Sequence, residues 1–88
     1  MKVSKDFILR EIAGEIMLVP VGAAAAKFNG LITMNEVGKF IFEALGEERD
    51  IATLTEMICA EYEIDKETAA ADAGEFLQQL REVGALVE

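Results

Sequence analysis

The chain has 88 residues, a single domain over 1–88 near the lower size at which one core folds without staples. Hydrophobic residues make up 52% of it, enough for a packed core and too many for a disordered segment. Seventeen acidic residues against eight basic ones leave a net charge of −9, which argues against nucleic acid as a partner because phosphate binding needs a basic footprint.

In chain order, Phe7 to Ile12 and Glu15 to Val19 are two runs rich in branched apolar residues, joined by Ala13-Gly14. Gly14 accepts the positive φ of a tight connection, so the pair predicts a β-hairpin. Pro20 lacks the donor a strand interior needs and ends the second run, and Gly22 to Ala25 is read as a small-residue loop. Ile16 to Ala26 superficially resembles a signal-peptide core. Asp6, Glu11 and Glu15 spoil the positive region such a core requires, and Pro20 and Gly22 interrupt it. No apolar stretch reaches membrane-spanning length. The expectation is a strand plus a loop in a cytoplasmic protein with no membrane partner.

A third strand is predicted over Lys27 to Met34. Phe28, Gly30, Ile32 and Met34 alternate with Lys27, Asn29, Leu31 and Thr33, and the Asn29-Gly30 pair marks a bulge or a close backbone approach. Asn35 then caps a helix over Glu36 to Leu45 whose apolar stripe is Val37, Phe40, Ile41, Ala44 and Leu45. Gly38 inside it is about 1 kcal/mol worse than alanine, which suggests another element packed close to it. Phe42 lies off the stripe, either under the sheet or exposed at an interface. Gly46 is the expected left-handed cap. Asp50 caps a second helix with a face of Ile51, Leu54, Met57, Ile58 and Tyr62. Asp65 caps a third and longest helix with a stripe of Ala69, Ala73, Phe76, Leu77, Leu80 and Val83. Gly84 ends it, and Ala85 to Val87 form a short closing segment.

Three strands followed by three helices make an α+β domain with the helices on one side of an antiparallel sheet. The short helices joined by tight turns also resemble a winged helix-turn-helix module. Its third helix, however, carries Glu67, Asp72, Glu75 and Glu82 against Lys66 and Arg81, a face that repels phosphate.

The chemistry available is sparse. The absence of histidine removes the commonest general base and zinc ligand, and the single cysteine, Cys59, excludes an internal disulfide and any CxxC motif. Glu61, Glu63, Asp65 and Glu67 alternate like the start of a calcium loop, but Lys66 stands where that loop requires glycine. The expectation is therefore a chain without a catalytic centre, metal site or cofactor. A free strand edge, by contrast, is among the simplest surfaces for capturing a peptide.

Four segments carry a family resemblance: FILREIAGEIMLVPVG, FNGLITMNEVGKFIFEAL, Tyr62 to Asp65, and DAGEFLQQLREVGAL. Together they resemble the PqqD-like proteins, recognition elements for the precursors of ribosomally made, post-translationally modified peptides. The most specific part is Asn29-Gly30 with Asn35-Glu36-Val37-Gly38; Phe42 stands where relatives often carry tryptophan. The resemblance implies a non-catalytic adaptor that binds the leader of a precursor peptide and presents it to a modifying enzyme, commonly a radical SAM protein. It also implies that the leader adds as a strand beside the third strand, in a groove walled by the third helix. In this chain those positions are Lys27, Phe28, Asn29, Gly30, Leu31, Ile32, Thr33 and Met34 on the strand. On the helix they are Ala69, Asp72, Ala73, Phe76, Gln79, Leu80 and Val83. Phe76 and Leu80 would floor an apolar pocket, with Asp72 and Gln79 selecting polar or basic groups at its rim. The alternatives are a winged-helix interaction module associated with transcription, or a homodimer formed through the open strand edge.

Overall fold

A computed structural model of the chain describes residues 1–27 and 32–88. The elements are β1 (Lys2–Val3), β2 (Phe7–Ile12), β3 (Glu15–Pro20), α1 (Ala23–Lys27), β4 (Ile32–Met34), α2 (Glu36–Ala44), α3 (Ile51–Tyr62), α4 (Lys66–Glu82) and β5 (Leu86–Val87). β2, β3 and β4 form an antiparallel sheet in that order, and β1 pairs with β5. The α+β class expected from the sequence is the one observed.

The hairpin pairs Ile12 with Glu15, leaving Ala13 and Gly14 as its two-residue connection, both at positive φ (53° and 82°). That is the conformation of the turn whose twist matches its strands. One face of the sheet presents Phe7, Leu18 and Met34 to the core, where they join Ile41, Leu45, Leu54, Ile58, Leu77 and Leu80.

Each of the three long helices starts on the residue the sequence nominates. Asn35 Oδ1 accepts from the Gly38 N–H at 2.7 Å, Asp50 Oδ1 from the Thr53 N–H at 2.8 Å, and Asp65 Oδ1 from the Thr68 N–H at 2.7 Å. α4 stops in a Schellman arrangement around Gly84 (φ 76°). The Gly84 N–H donates to Arg81 O and the Ala85 N–H to Leu80 O, at 3.1 and 2.8 Å.

Hydrogen bonds from Thr68 hold the Asp65 carboxyl below the ordinary 3.8, and those from Thr53 do the same for Asp50. A carboxyl with a depressed folded-state pKa stabilises the fold above the unfolded-state value, and that contribution is lost as pH falls through the folded-state value. Helix content followed by circular dichroism is therefore expected to fall as pH drops below 3.8. Asp65→Asn, which keeps the cap without the titration, should flatten part of that fall. An identical acid profile in the variant would contradict this assignment.

Several expectations need correction. Ala23 to Lys27 is a helical turn rather than a loop entering a strand, because alanine has the highest helix propensity and this stretch holds four in a row. Lys27 therefore belongs to α1 and not to β4, whose described residues are Ile32–Met34. Phe28, Asn29, Gly30 and Leu31, four of the expected strand positions, lie outside the described residues. Gly46 is not at positive φ; Arg49 Nε donates to the Ala44 carbonyl at 2.6 Å and satisfies that end of α2 instead. Ile51, expected in the core, is 49% exposed in the first turn of α3. Phe42 is buried, 8% exposed.

Candidate functional site

β4 is an edge strand: β3 occupies one side (Ile16 opposite Met34, Met17 opposite Thr33, Leu18 opposite Ile32), and no described strand occupies the other. Such an edge presents unpaired backbone groups. Ile32 is half-buried, Thr33 exposed and Met34 buried, so Thr33 faces outward between two inward neighbours.

α4 has two working faces. Ala69, Ala73, Leu77 and Leu80 are at most 1% exposed and belong to the core. Ala69, Ala73 and Leu80, expected on the wall of the groove, are enclosed among the core side chains here. Asp72, Phe76, Gln79 and Val83 form a separate stripe at spacings of four, three and four residues, which keeps them on one side of the helix. Asp72 and Gln79 are exposed, and Phe76 and Val83 are half-buried.

Two cavities lie along that stripe. The first, of about 190 Å³, is lined by Asn35, Val37, Gly38, Ile41, Asp72, Glu75, Phe76 and Gln79. The second, of about 440 Å³, is lined by Asp6, Phe7, Ala23, Ala24, Lys27, Glu82, Val83 and Gly84. Asn35 directly follows β4 and Lys27 belongs to α1, so chain positions on both sides of β4 meet α4 across these openings. From Asp72 to Val83 the stripe runs roughly 16 Å at about 1.5 Å per residue. That length matches about five residues of extended peptide. The first cavity is smaller than the roughly 300–1,000 Å³ typical of drug-sized ligands, and suits a single side chain.

Gly38 sets the depth of the first cavity. A Cβ placed on it would lie 2.9 Å from Phe76 Cε1 and 3.3 Å from Asn35 Oδ1, closer than van der Waals contact allows. Any larger residue at 38 would push the Phe76 ring toward the opening. The helical glycine read from the sequence as a close-packing point is one, and its neighbour is α4. Val37, Gly38, Ile41 and Glu75 were not among the sequence-predicted site residues.

The far side of α2 is anchored separately. Phe40 and Tyr62 meet edge-to-face with ring centroids 5.7 Å apart, and Tyr62 OH donates to the Glu36 carbonyl at 3.3 Å. This fixes the start of α2, and with it Val37 and Gly38. Among the described residues no three His, Cys, Asp or Glu side chains are grouped to hold a metal ion, and no helix is long and apolar enough to cross a membrane.

The family model described as coenzyme PQQ synthesis protein D (PqqD) matches residues 14–86. A solved structure of TbiB1 in complex with the TbiA(beta) leader peptide is similar to this chain with a TM-score of 0.74 and 27% sequence identity. The similarity covers 98% of this chain and 94% of that one. No curated protein matches.

Proposed function

We propose, on the premise that the chain belongs to the PqqD family, that it is a non-catalytic adaptor binding the leader of a ribosomally made precursor peptide. The leader adds as a strand to the free edge of β4 and lays alternate side chains against the Asp72–Phe76–Gln79–Val83 stripe of α4. Main-chain hydrogen bonds supply affinity in this mode, and pockets for alternate side chains supply selectivity. The observation that carries the proposal is the unpaired edge of β4 together with two cavities along one exposed stripe of α4. The likeness to a chain solved with a leader peptide supports it.

The adaptor works in the cytoplasm and hands its peptide to a modifying enzyme, a radical SAM protein being the class the family suggests. The partner's work is the chemistry; this chain contributes capture and orientation, which raise the effective concentration of the precursor at the enzyme.

Calorimetric titration of the full chain with the leader half of a candidate precursor peptide tests the reading. Saturable one-to-one binding is expected, with little affinity for the core half of the same precursor. Equal affinity for both halves, or for neither, would remove the proposed role.

A further inference from the structure

We infer that the peptide bound in this groove places a lysine or arginine in the cavity over Gly38, its aliphatic stem on Phe76 and Val37 and its cationic head between Asp72 and Glu75. The inference rests on the groove reading above and adds the chemistry of the ligand.

The cavity combines two features that suit one kind of side chain. The apolar surface open to a guest is made by the half-buried Val37 and Phe76, with Gly38 and Ile41 enclosed beneath them. Its rim holds two carboxylates, Asp72 and Glu75, both exposed and three residues apart on α4, where helical neighbours meet. Among the described residues neither carboxylate takes part in an ion pair or a side-chain hydrogen bond. The other polar groups of the rim do not compete for a cation: Asn35 Oδ1 is engaged with the Gly38 N–H, and Gln79 is neutral. At about 190 Å³ the space takes one side chain.

A purely apolar guest would leave two like charges facing each other at the mouth. An acidic guest would add a third. Lysine and arginine carry a long apolar stem and a terminal charge, so one residue covers the floor and neutralises the rim. The second cavity has the same sign, Asp6 and Glu82 against Lys27, so the groove as a whole favours a positively charged guest.

The test uses a displayed library of random 12-residue peptides selected on the full chain and on an Asp72→Asn/Glu75→Gln variant. Both substitutions are at exposed positions and nearly isosteric, and unchanged thermal melts confirm folding. Peptides selected by the natural chain should carry lysine or arginine at one fixed position. Exchanging that residue for norleucine, which keeps the stem without the charge, should weaken binding by about three- to fivefold at low salt. The same exchange should have little effect in the double variant. Enrichment of apolar or acidic residues at that position, or a norleucine effect that persists undiminished in the double variant, overturns the inference and leaves the groove intact. Selected peptides whose affinity is unmoved by Phe76→Ala would show binding outside the groove, and would overturn the reading on which the inference rests.

Discussion

Replacing Phe76 with alanine is expected to weaken leader binding about 30-fold or more, the loss that accompanies truncation of an aromatic anchor worth about 2 kcal/mol. The ring is half-buried, lines the smaller cavity and packs directly over the backbone of Gly38, so it forms both the floor of the pocket and part of the seam between α2 and α4. Removing it leaves the peptide side chain without an opposing surface and lets water into the cavity. Because the ring is not fully enclosed, the stability cost should stay near 1–2 kcal/mol, below the roughly 3–5 kcal/mol of a fully buried phenylalanine. Calorimetry of the variant, at a temperature where circular dichroism shows it folded, separates the two effects. A folded variant with natural affinity would move the binding surface elsewhere.

The adjacent residue should behave in the opposite way. Leu77 is fully buried, pointing from α4 into the cluster with Leu18, Ile41, Leu54 and Ile58. Leu77→Ala removes methyl groups from a close-packed interior and leaves a cavity, at a cost of about 2–5 kcal/mol. A domain of this length has a total stability of roughly 4–13 kcal/mol, so the loss is a large fraction of it. Thermal denaturation should show a fall of at least about 10 °C. At temperatures where the variant remains folded, affinity for the leader should be within a few-fold of the natural chain, because Leu77 offers no surface to a guest. A fall of only one or two degrees, or a large loss of affinity in the folded variant, would contradict the placement of Leu77. The contrast depends on a rotation of about 100° between successive residues on a helix.

What was legible in the sequence was the locally encoded structure. Asn35, Asp50 and Asp65 start their helices because each offers a side-chain oxygen to an amide three residues ahead, a signal contained in four residues. Ala13-Gly14 marks the hairpin just as locally, through a two-residue connection at positive φ. The elements that escaped notice, or were read only as a closing segment, are those that distant contacts create. β1 and β5 have two residues each, too few for any periodicity. They exist because Lys2 meets Val87 and Val3 meets Leu86, with further hydrogen bonds from Val3 to Leu45 and from Ser4 to Ala85. α1 is only five residues long, below the length at which a helix stands without packing, and its alanines signalled small size as readily as helix.

The site was legible in outline and blurred in detail. α4 carries two stripes, and the sequence reading merged them. Ala69, Ala73, Leu77 and Leu80 follow one helical course into the core, while Asp72, Phe76, Gln79 and Val83 follow another, with Asp72, Phe76 and Gln79 each one residue before a core position. The mixed polarity of the second course distinguished it, and that signal was present. Glu75 and the α2 residues Val37 and Ile41 were missed because their part in the cavity depends on how α2 crosses α4, which no local pattern records. Gly38 was the exception: a costly glycine inside a helix announced that something packs against it, and that neighbour is Phe76.

The central claim is that a peptide joins the sheet at β4. Hydrogen–deuterium exchange of the full chain, with and without the leader half of its precursor, tests it most directly, because a strand added to an open edge engages backbone amides that otherwise face water. Within β4, from Ile32 to Met34, the account predicts that amides facing the open edge gain protection on binding, while the outer edge at β2 is unchanged. Saturating leader that leaves β4 exchange unchanged, or that protects β2 instead, would contradict it.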